Sequence, residues 1–292
     1  MQKPKFNWED ARYFLAVARV GTVGKAAQSL GVSNITLSRH LAHLQSRTRS
    51  QLLIRHSKGF KLSDEGHRLM EFLERAEAEI EAAADIFSVD QSSASGTVRI
   101  AAPEGFAVRI LSGSMTKLLA QHPALNIEIV PQSPGFSLTK READLAVMVS
   151  KPVESNLGYV LLGHYYLGLY TTKAYLENKE CPTQIEDLGN HRLVGYVDDL
   201  LYSEKLNTPK AVWNQWRSQV SIYSPVGQIE AVKSGAGIGV LHKFLLQNDD
   251  VLVPVLPEIQ LKRNFYLVYH QSTEKIPRIR SVINFLRELG TE

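Results

Sequence analysis

The sequence predicts an α/β protein in three parts: a mostly helical, winged helix-turn-helix at the N-terminus, one long linker helix, and a C-terminal α/β region. Three observations predict it. Residues 23–44, VGKAAQSLGVSNITLSRHLAHL, hold two short helical patterns that meet at Gly31. Residues 1–62 contain eleven Lys or Arg against two acids, a net +9, whereas the 292-residue chain is only +3, so residues 63–292 carry −6. Beyond residue 96, short apolar runs alternate with helical patterns, the punctuation of an α/β sheet.

The first pair of helices rests on five positions. Ala27, Gly31, Val32, Leu37 and Leu41 fall at offsets of 0, +4, +5, +10 and +14, the spacing at which two helices pack at a steep angle. The small alanine permits close approach, the glycine permits a left-handed turn, and the aliphatic side chains fill the joint. Ser33 caps the second helix. Its outward residues, Asn34, Ile35, Thr36, Ser38, Arg39 and His40, are mostly polar and form the face that a recognition helix presents to the major groove. Concentrated positive charge suits a polyanionic duplex, through phosphate neutralisation and counterion release. A membrane surface would also attract it, but short polar helices interrupted by Gly21 and Gly31 offer no long basic amphipathic face.

Residues 52–62, LLIRHSKGFKL, read as a small hairpin, or wing. Arg55, His56 and Lys58 sit at its tip, within reach of phosphates or a minor groove, while Leu53, Ile54 and Leu62 anchor it. Ser63 then caps a long helix whose first turn carries Asp64 and Glu65, where negative charge favours the helix dipole. Along it Leu69, Leu73, Ala76, Ile80, Ala83 and Phe87 recur at spacings of 4, 3, 4, 3 and 4, an apolar seam of period 3.5 that suits a partner helix. Residues 90–96, DQSSASG, have linker composition, which places this helix between domains. Dimerisation through the seam would set two recognition helices about one duplex turn apart.

In the C-terminal region strands are expected at 98–102, 125–130, 145–149, 166–171, 191–197, 220–223, 251–255 and 265–270, and helices at 106–120, 173–178, 226–234, 238–246 and 276–289. The first strand runs into Pro103-Glu104-Gly105 and a helix. This resembles the first unit of an open, mostly parallel sheet, where ligands lie at strand ends and helix starts.

Residues 6–90 resemble the N-terminal module of LysR-type transcriptional regulators, and the layout of the remainder follows the same family over nearly the full length. The resemblance is carried by Asn7-Trp8-Glu9-Asp10, Phe14-Leu15-Ala16-Val17-Ala18, Gly21-Thr22, Ala26-Ala27, Leu30-Gly31-Val32-Ser33, Ser38-Arg39, Leu41, Leu44, Leu53, Arg55 and Leu62-Ser63-Asp64-Glu65-Gly66. The chain departs from the family pattern in a few places. Gln45 stands where the family usually has Glu, Ser50 or Gln51 where it has Gly, Leu53 or Ile54 where it has Phe, and Ser63 where it has Thr. None of these removes a cap or a basic contact.

The resemblance implies a DNA-binding domain over residues 1–62, a dimerisation helix over 63–90, and a two-lobed, periplasmic-binding-protein-like effector domain over 91–292. Lobe I would span about 96–163 and 266–292, and lobe II about 164–265. The chain would then be a sequence-specific, ligand-responsive transcriptional regulator. Its partners would be double-stranded operator DNA, a small-molecule effector, a second copy or three further copies of itself, and RNA polymerase. Ser33, Asn34, Ile35, Thr36, Ser38, Arg39, His40, Arg55, His56 and Lys58 would contact DNA. The effector would lie between the lobes, against Pro103, Glu104, Gly105, Phe106, Gln132, Ser133, Val149, Ser150 and Lys151 on one side. Tyr196, Val197, Gly227, Gln228 and Gly237 would face it from the other. Many family members offer a hydroxyl at the Glu104 position, so a carboxylate there points to an effector that is neutral, cationic or aromatic.

No catalytic constellation stands out. Gly235-Ala236-Gly237-Ile238-Gly239 is G-x-G-x-G rather than the dinucleotide-binding G-x-G-x-x-G, and it reads as a turn and helix start. The nine His lack metal-ligand spacing, and His40-x-x-His43 lies on the DNA helix, so no metal and no cofactor are expected. There is no G-x-S-x-G elbow. Cys181 is the only cysteine, which precludes an intrachain disulfide and fits a reducing cytoplasm. The N-terminus MQKPKFNWED has no apolar signal-like run and no stretch approaches 18 apolar residues, so a cytoplasmic, membrane-free location is expected. The alternative, a solute-binding protein or an α/β enzyme with an accessory nucleic-acid-binding module, would need an export signal or a catalytic cluster.

Overall fold

The structure, a computed structural model, describes residues 6–85, 94–132, 136, 138, 142–177, 179–201, 203–246 and 249–290. It divides into two compact units. One is Met1–Gln91 with the short segments Thr139–Glu142 and Ser272–Pro277, and the other is the rest of the chain.

The first unit runs α1 (Trp8–Val20), α2 (Val23–Leu30), α3 (Asn34–Thr48), a hairpin of β1 (Leu53–His56) and β2 (Gly59–Leu62), then α4 (Asp64–Asp85). The starts of α1, α3 and α4 are capped by side chains the sequence supplies. Asn7 Oδ1 accepts from the Glu9 amide at 3.0 Å, Ser33 Oγ from the Thr36 amide at 3.1 Å, and Ser63 Oγ from the Gly66 amide at 3.0 Å. Gly31 joins α2 to α3 at φ 65°, a left-handed conformation that costs glycine little, and its amide donates back to the Ala27 and Gln28 carbonyls. Phe14, Leu15, Val17, Ala26, Ala27, Leu37, Leu44 and Leu52 form the buried core.

The wing is fixed at both ends. Phe60 N–H donates to the Gly21 carbonyl at 2.7 Å, and a Cβ on Gly59 would sit 2.3 Å from that same oxygen, so only glycine allows the approach. At the base, Gln45 Oε1 accepts from the Leu52 and Leu53 amides at 2.9 and 3.3 Å. The amide oxygen thus supplies the acceptor that these strand amides require.

The long helix differs from the expected seam. Leu73 is buried and Leu69 half-buried in the core of their own unit, while Ala76, Ile80 and Ala83 are exposed; Phe87 lies outside the described residues. Phe72, 64% exposed, joins them to make an apolar stripe of Phe72, Ala76, Ile80 and Ala83. The dimerisation candidates Leu69 and Leu73 are therefore corrected to core residues. An α-helix turns 3.6 residues per turn, so a 3.5-residue pattern drifts from one face toward the next along its length.

The second unit is an eight-stranded sheet made of β3 (Gly96–Ala102), β4 (Leu125–Pro131), β5 (Leu145–Met148), β6 (Leu157–Thr172), β7 (Leu193–Gly195), β8 (Val220–Ser221), β9 (Ile238–His242) and β10 (Leu252–His270). Their spatial order is β4-β3-β5-β10-β6-β9-β7-β8. β3 pairs in parallel with β4 and β5, and β7 in parallel with β8 and β9. The long β6 and β10 form the antiparallel centre, with register breaks at Val255/Gln260 and Phe265/Tyr266. Helical segments include α5 (Glu104–Phe106), which continues through a π turn (Ala107–Leu111) into α6 (Ser112–Gln121), then α7 (Lys173–Leu176), α8 (Thr208–Val212), α9 (Pro225–Lys233) and α10 (Pro277–Leu289).

Two sequence expectations change. Residues 238–246, expected as a helix, form β9 followed by a short 3₁₀ turn, and all five β9 residues are buried. A strand covered on both faces is continuously apolar and shows no alternation. The separate strands at 251–255 and 265–270 are the two ends of β10.

Candidate functional site

On the helix-turn-helix, Asn34, Ile35, Ser38 and Arg39 are exposed on α3, with Ile35 83% exposed. An exposed aliphatic side chain here is suited to the thymine methyl, and Arg39 to guanine or phosphate. Ser33 and Thr36 are hydrogen-bonded to each other, Oγ to Oγ1 at 2.9 Å, which fixes the first turn of α3. Arg55, His56 and Lys58 are all exposed on the wing, and the Lys58 amide donates to His56 Nδ1 at 3.3 Å.

His40 is placed differently. Its Nδ1 lies 2.6 Å from Asp10 Oδ1, and its ring stacks on Tyr13 at 4.4 Å between centroids. Asp10 is fully buried and also faces His43 Nδ1 at 3.7 Å. His40 thus ties α3 to α1 and sets the angle of the recognition helix. On the other side of α1, Arg19 Nη2 lies 2.5 Å from Glu77 Oε2 and 3.8 Å from Glu74 Oε1, joining the helix-turn-helix to α4. Sequence reasoning missed this clamp. Its signals were Asp10 with imidazoles 30 or more residues on, and Arg19 with acids 55 or more residues on, which no local pattern connects.

The second unit contains a cavity of about 270 Å³ at the end of β3. Of the effector candidates, Pro103, Glu104, Gly105, Phe106, Gln132, Val149 and Tyr196 line it. Tyr165, Tyr223, Ser224, His242, Phe244 and Phe265 complete the wall without having been anticipated. They arrive from β6, β9, β10 and the start of α9, so only the sheet order brings them to one place.

The wall is aromatic. Tyr165 stacks on Phe265 at 4.1 Å, and Phe265 meets Phe106 and Phe244 edge-on at 4.8 and 5.8 Å. Burial raises the Tyr165 hydroxyl pKa well above its ordinary value, with the Arg263 charge opposing the shift, and lowers that of His242 to about 4, so the imidazole is neutral. Two hydrogen bonds join residues of the cavity wall. Ser224 Oγ donates to Glu104 Oε1 at 3.0 Å, and Tyr223 OH donates to the Gln132 carbonyl at 3.1 Å. Ser224 also caps α9 by accepting from the Gly227 amide at 2.9 Å.

The remaining effector candidates do not line this cavity. Gln228 is buried with its Nε2 on the Ile222 carbonyl at 2.8 Å, the Gly227 amide serves the Ser224 cap, and Gly237 packs against the Arg192 backbone. Lys151 is exposed with its ammonium 5.3 Å from the Tyr159 ring centre, and Ser150 is half-buried outside the cavity. Ser133 lies outside the described residues. Val197 faces a separate groove of about 960 Å³ with Trp213 and Arg217. That groove is larger, but the shielded Glu104 Oε2 and the aromatic side chains converge on the smaller cavity, the mix of apolar wall and few polar groups that small-molecule sites have. Cys181 is exposed. Among the described residues no group of three or more His, Cys, Asp or Glu is placed to hold a metal ion, and no helix is long and apolar enough to cross a membrane.

A helix-turn-helix with a basic wing, a linker helix and an α/β ligand-binding unit define a class of ligand-responsive DNA-binding proteins. Residues 8–67 match the bacterial regulatory helix-turn-helix protein, lysR family, and residues 91–291 match the LysR substrate binding domain. The chain belongs to the LysR-type transcriptional regulators. It is 28% identical over 294 residues to the HTH-type transcriptional regulator PtxR of Pseudomonas aeruginosa, covering 96% of this chain and 92% of that one. To the HTH-type transcriptional regulator CrgA of Neisseria meningitidis serogroup C it is 25% identical, covering 98% of each. The solved structure of CrgA from Neisseria meningitidis shares the fold with a TM-score of 0.60 at 23% identity, over 98% of this chain and all of that one.

Proposed function

We propose that this regulator reads operator DNA with Asn34, Ile35, Thr36, Ser38 and Arg39 in the major groove, and with Ser33, Arg55, His56 and Lys58 on phosphates or the adjacent minor groove. The observation that carries this reading is the division of α3. One side is buried in the core, and the other presents exposed polar residues beside an exposed basic wing. His40 acts behind that surface as the strut between α1 and α3. Two copies associate through the Phe72, Ala76, Ile80 and Ala83 face of α4, which pairs recognition helices for a palindromic site. A tetramer would pair two such dimers.

Residues 1–62, 63–90 and 91–292 serve as DNA-binding, linker and effector-binding parts. A small-molecule effector occupies the cavity walled by Glu104 and Tyr165, and its differential affinity for two arrangements of the cavity walls shifts the spacing of the DNA-reading modules. The protein works in the cytoplasm on DNA shared with RNA polymerase and carries out no catalysis. Genome-wide mapping of bound DNA, followed by footprinting with purified protein, tests the reading. It expects discrete, dyad-related sites upstream of genes, and unstructured coverage that follows base composition would refute it.

A further inference from the structure

The cavity in the second unit has one unmet chemical demand. Glu104 Oε1 accepts from Ser224, but Glu104 Oε2 is shielded from solvent and accepts no hydrogen bond. Among the described residues no Lys or Arg lines the cavity, and Arg263, whose charge is felt at Tyr165, is not part of its wall. His242 is neutral and offers no charge either. A carboxylate oxygen shielded from water and left without a partner is poised for a charged donor. The side chains beside it, Phe106, Tyr165, Phe244 and Phe265, are aromatic rings packed on one another, a lining that suits an apolar body and whose negative ring faces favour a cation over an anion.

We propose that the effector is a small organic amine, protonated and lacking a carboxylate, whose ammonium binds Glu104 and whose apolar or aromatic body fills the box of Phe106, Tyr165, Phe244 and Phe265. The volume of about 270 Å³ accommodates one ring and a short chain. The ammonium gives Glu104 Oε2 a charge-assisted partner beside the Ser224 hydroxyl on Oε1. Because Ser224 both donates to Glu104 and caps α9, a ligand on this carboxylate is coupled to the start of that helix. The inference rests on the cavity being the effector site.

The test uses the full chain and three ring-matched probes, 2-phenylethylamine, 2-phenylethanol and 3-phenylpropionate, followed by thermal shift and calorimetry. The amine should raise the Tm of the wild-type protein. The alcohol should act more weakly and the acid not at all. Glu104→Gln, which keeps shape and hydrogen bonding, should weaken the amine about tenfold or more and erase the preference for amine over alcohol. Far-UV circular dichroism and the ligand-free Tm of Glu104→Gln, both expected to match wild type, show that the loss is not a folding defect. The proposal is overturned if the acid stabilises best, if Glu104→Gln leaves amine affinity within about twofold, or if no amine in a wider arylalkylamine panel shifts the Tm. Operator binding by the ligand-free protein is measured in parallel. Its loss with amine selectivity intact would sink the regulator reading alone, and its presence without amine selectivity would sink the ligand assignment alone.

Discussion

Replacing Arg19 with alanine tests how the helix-turn-helix is joined to the linker helix. The Arg19 side chain is 11% exposed, and its partners Glu74 and Glu77 are 3% and 15% exposed, so water screens this triad weakly. The guanidinium engages Glu77 through both nitrogens, with Nη2 to Oε2 at 2.5 Å and Nη1 to Oε1 at 3.4 Å. Removing it from two largely buried carboxylates costs about 3–5 kcal/mol. Both glutamates have further contacts, which sets the expected loss near the lower end, about 3 kcal/mol. The assay is hydrogen exchange across α1 and α4 in the full chain, because the protein has two units and a single unfolding midpoint would mix them. Protection in both helices should fall together. The triple variant Arg19→Met, Glu74→Leu, Glu77→Leu should recover most of the loss, since an apolar cluster carries no desolvation cost. Unchanged protection in Arg19→Ala, or a triple variant worse than the single one, would refute the reasoning.

Two further predictions concern the linker face and the ligand cavity. Ile80→Glu places a charge on the exposed α4 stripe; burial of the two copies in a symmetric dimer is worth about 4 kcal/mol, so the dimer dissociation constant should rise on the order of a thousandfold by sedimentation velocity, and an unaltered dimer would remove this face from the interface. His242 has a folded pKa of about 4 against an ordinary 6.5 because it is buried. Below pH 6.5 the unfolded chain binds this proton and the folded chain does not, so stability is lost as pH falls from 6.5 toward 4, by about 3 kcal/mol in all. Urea midpoints of the second unit should fall less over that window in His242→Gln than in wild type, and an identical fall in both would contradict the burial argument.

The DNA-reading end was largely legible in the sequence because its determinants are local. Gly31, Ser33 and the wing residues act within a few positions of one another, and the structure has them in the conformations that turn and cap chemistry require. The linker face was legible only in part. Leu69 and Leu73 belong to the same heptad pattern as Ala76 and Ile80, and only the packing of α4 on its own unit separates them. Residues 238–246 were misread because periodicity cannot tell a short, fully buried strand from a buried helix. The flanking Gly235 and Gly237 were the available hint. In the cavity, Pro103 to Phe106 were found from a strand-to-helix turn, whereas Tyr165, His242 and Phe265 come from strands that meet through long-range pairing. The same strand-to-helix logic applied to Ser224-Pro225, an N-cap followed by proline, would have found the residue that faces Glu104.

The central claim is sequence-specific DNA reading through α3 and the wing, and fluorescence anisotropy of the full chain on two duplexes tests it most directly. One duplex carries a footprinted site and the other a scrambled version, each titrated between about 50 and 200 mM salt. The account predicts a preference for the site of about a thousandfold or more, affinity that falls linearly on a log-log plot against salt, and a loss of about 1–3 kcal/mol in Arg39→Ala. Equal affinity for both duplexes at every salt concentration, with Arg39→Ala indistinguishable from wild type, would contradict it.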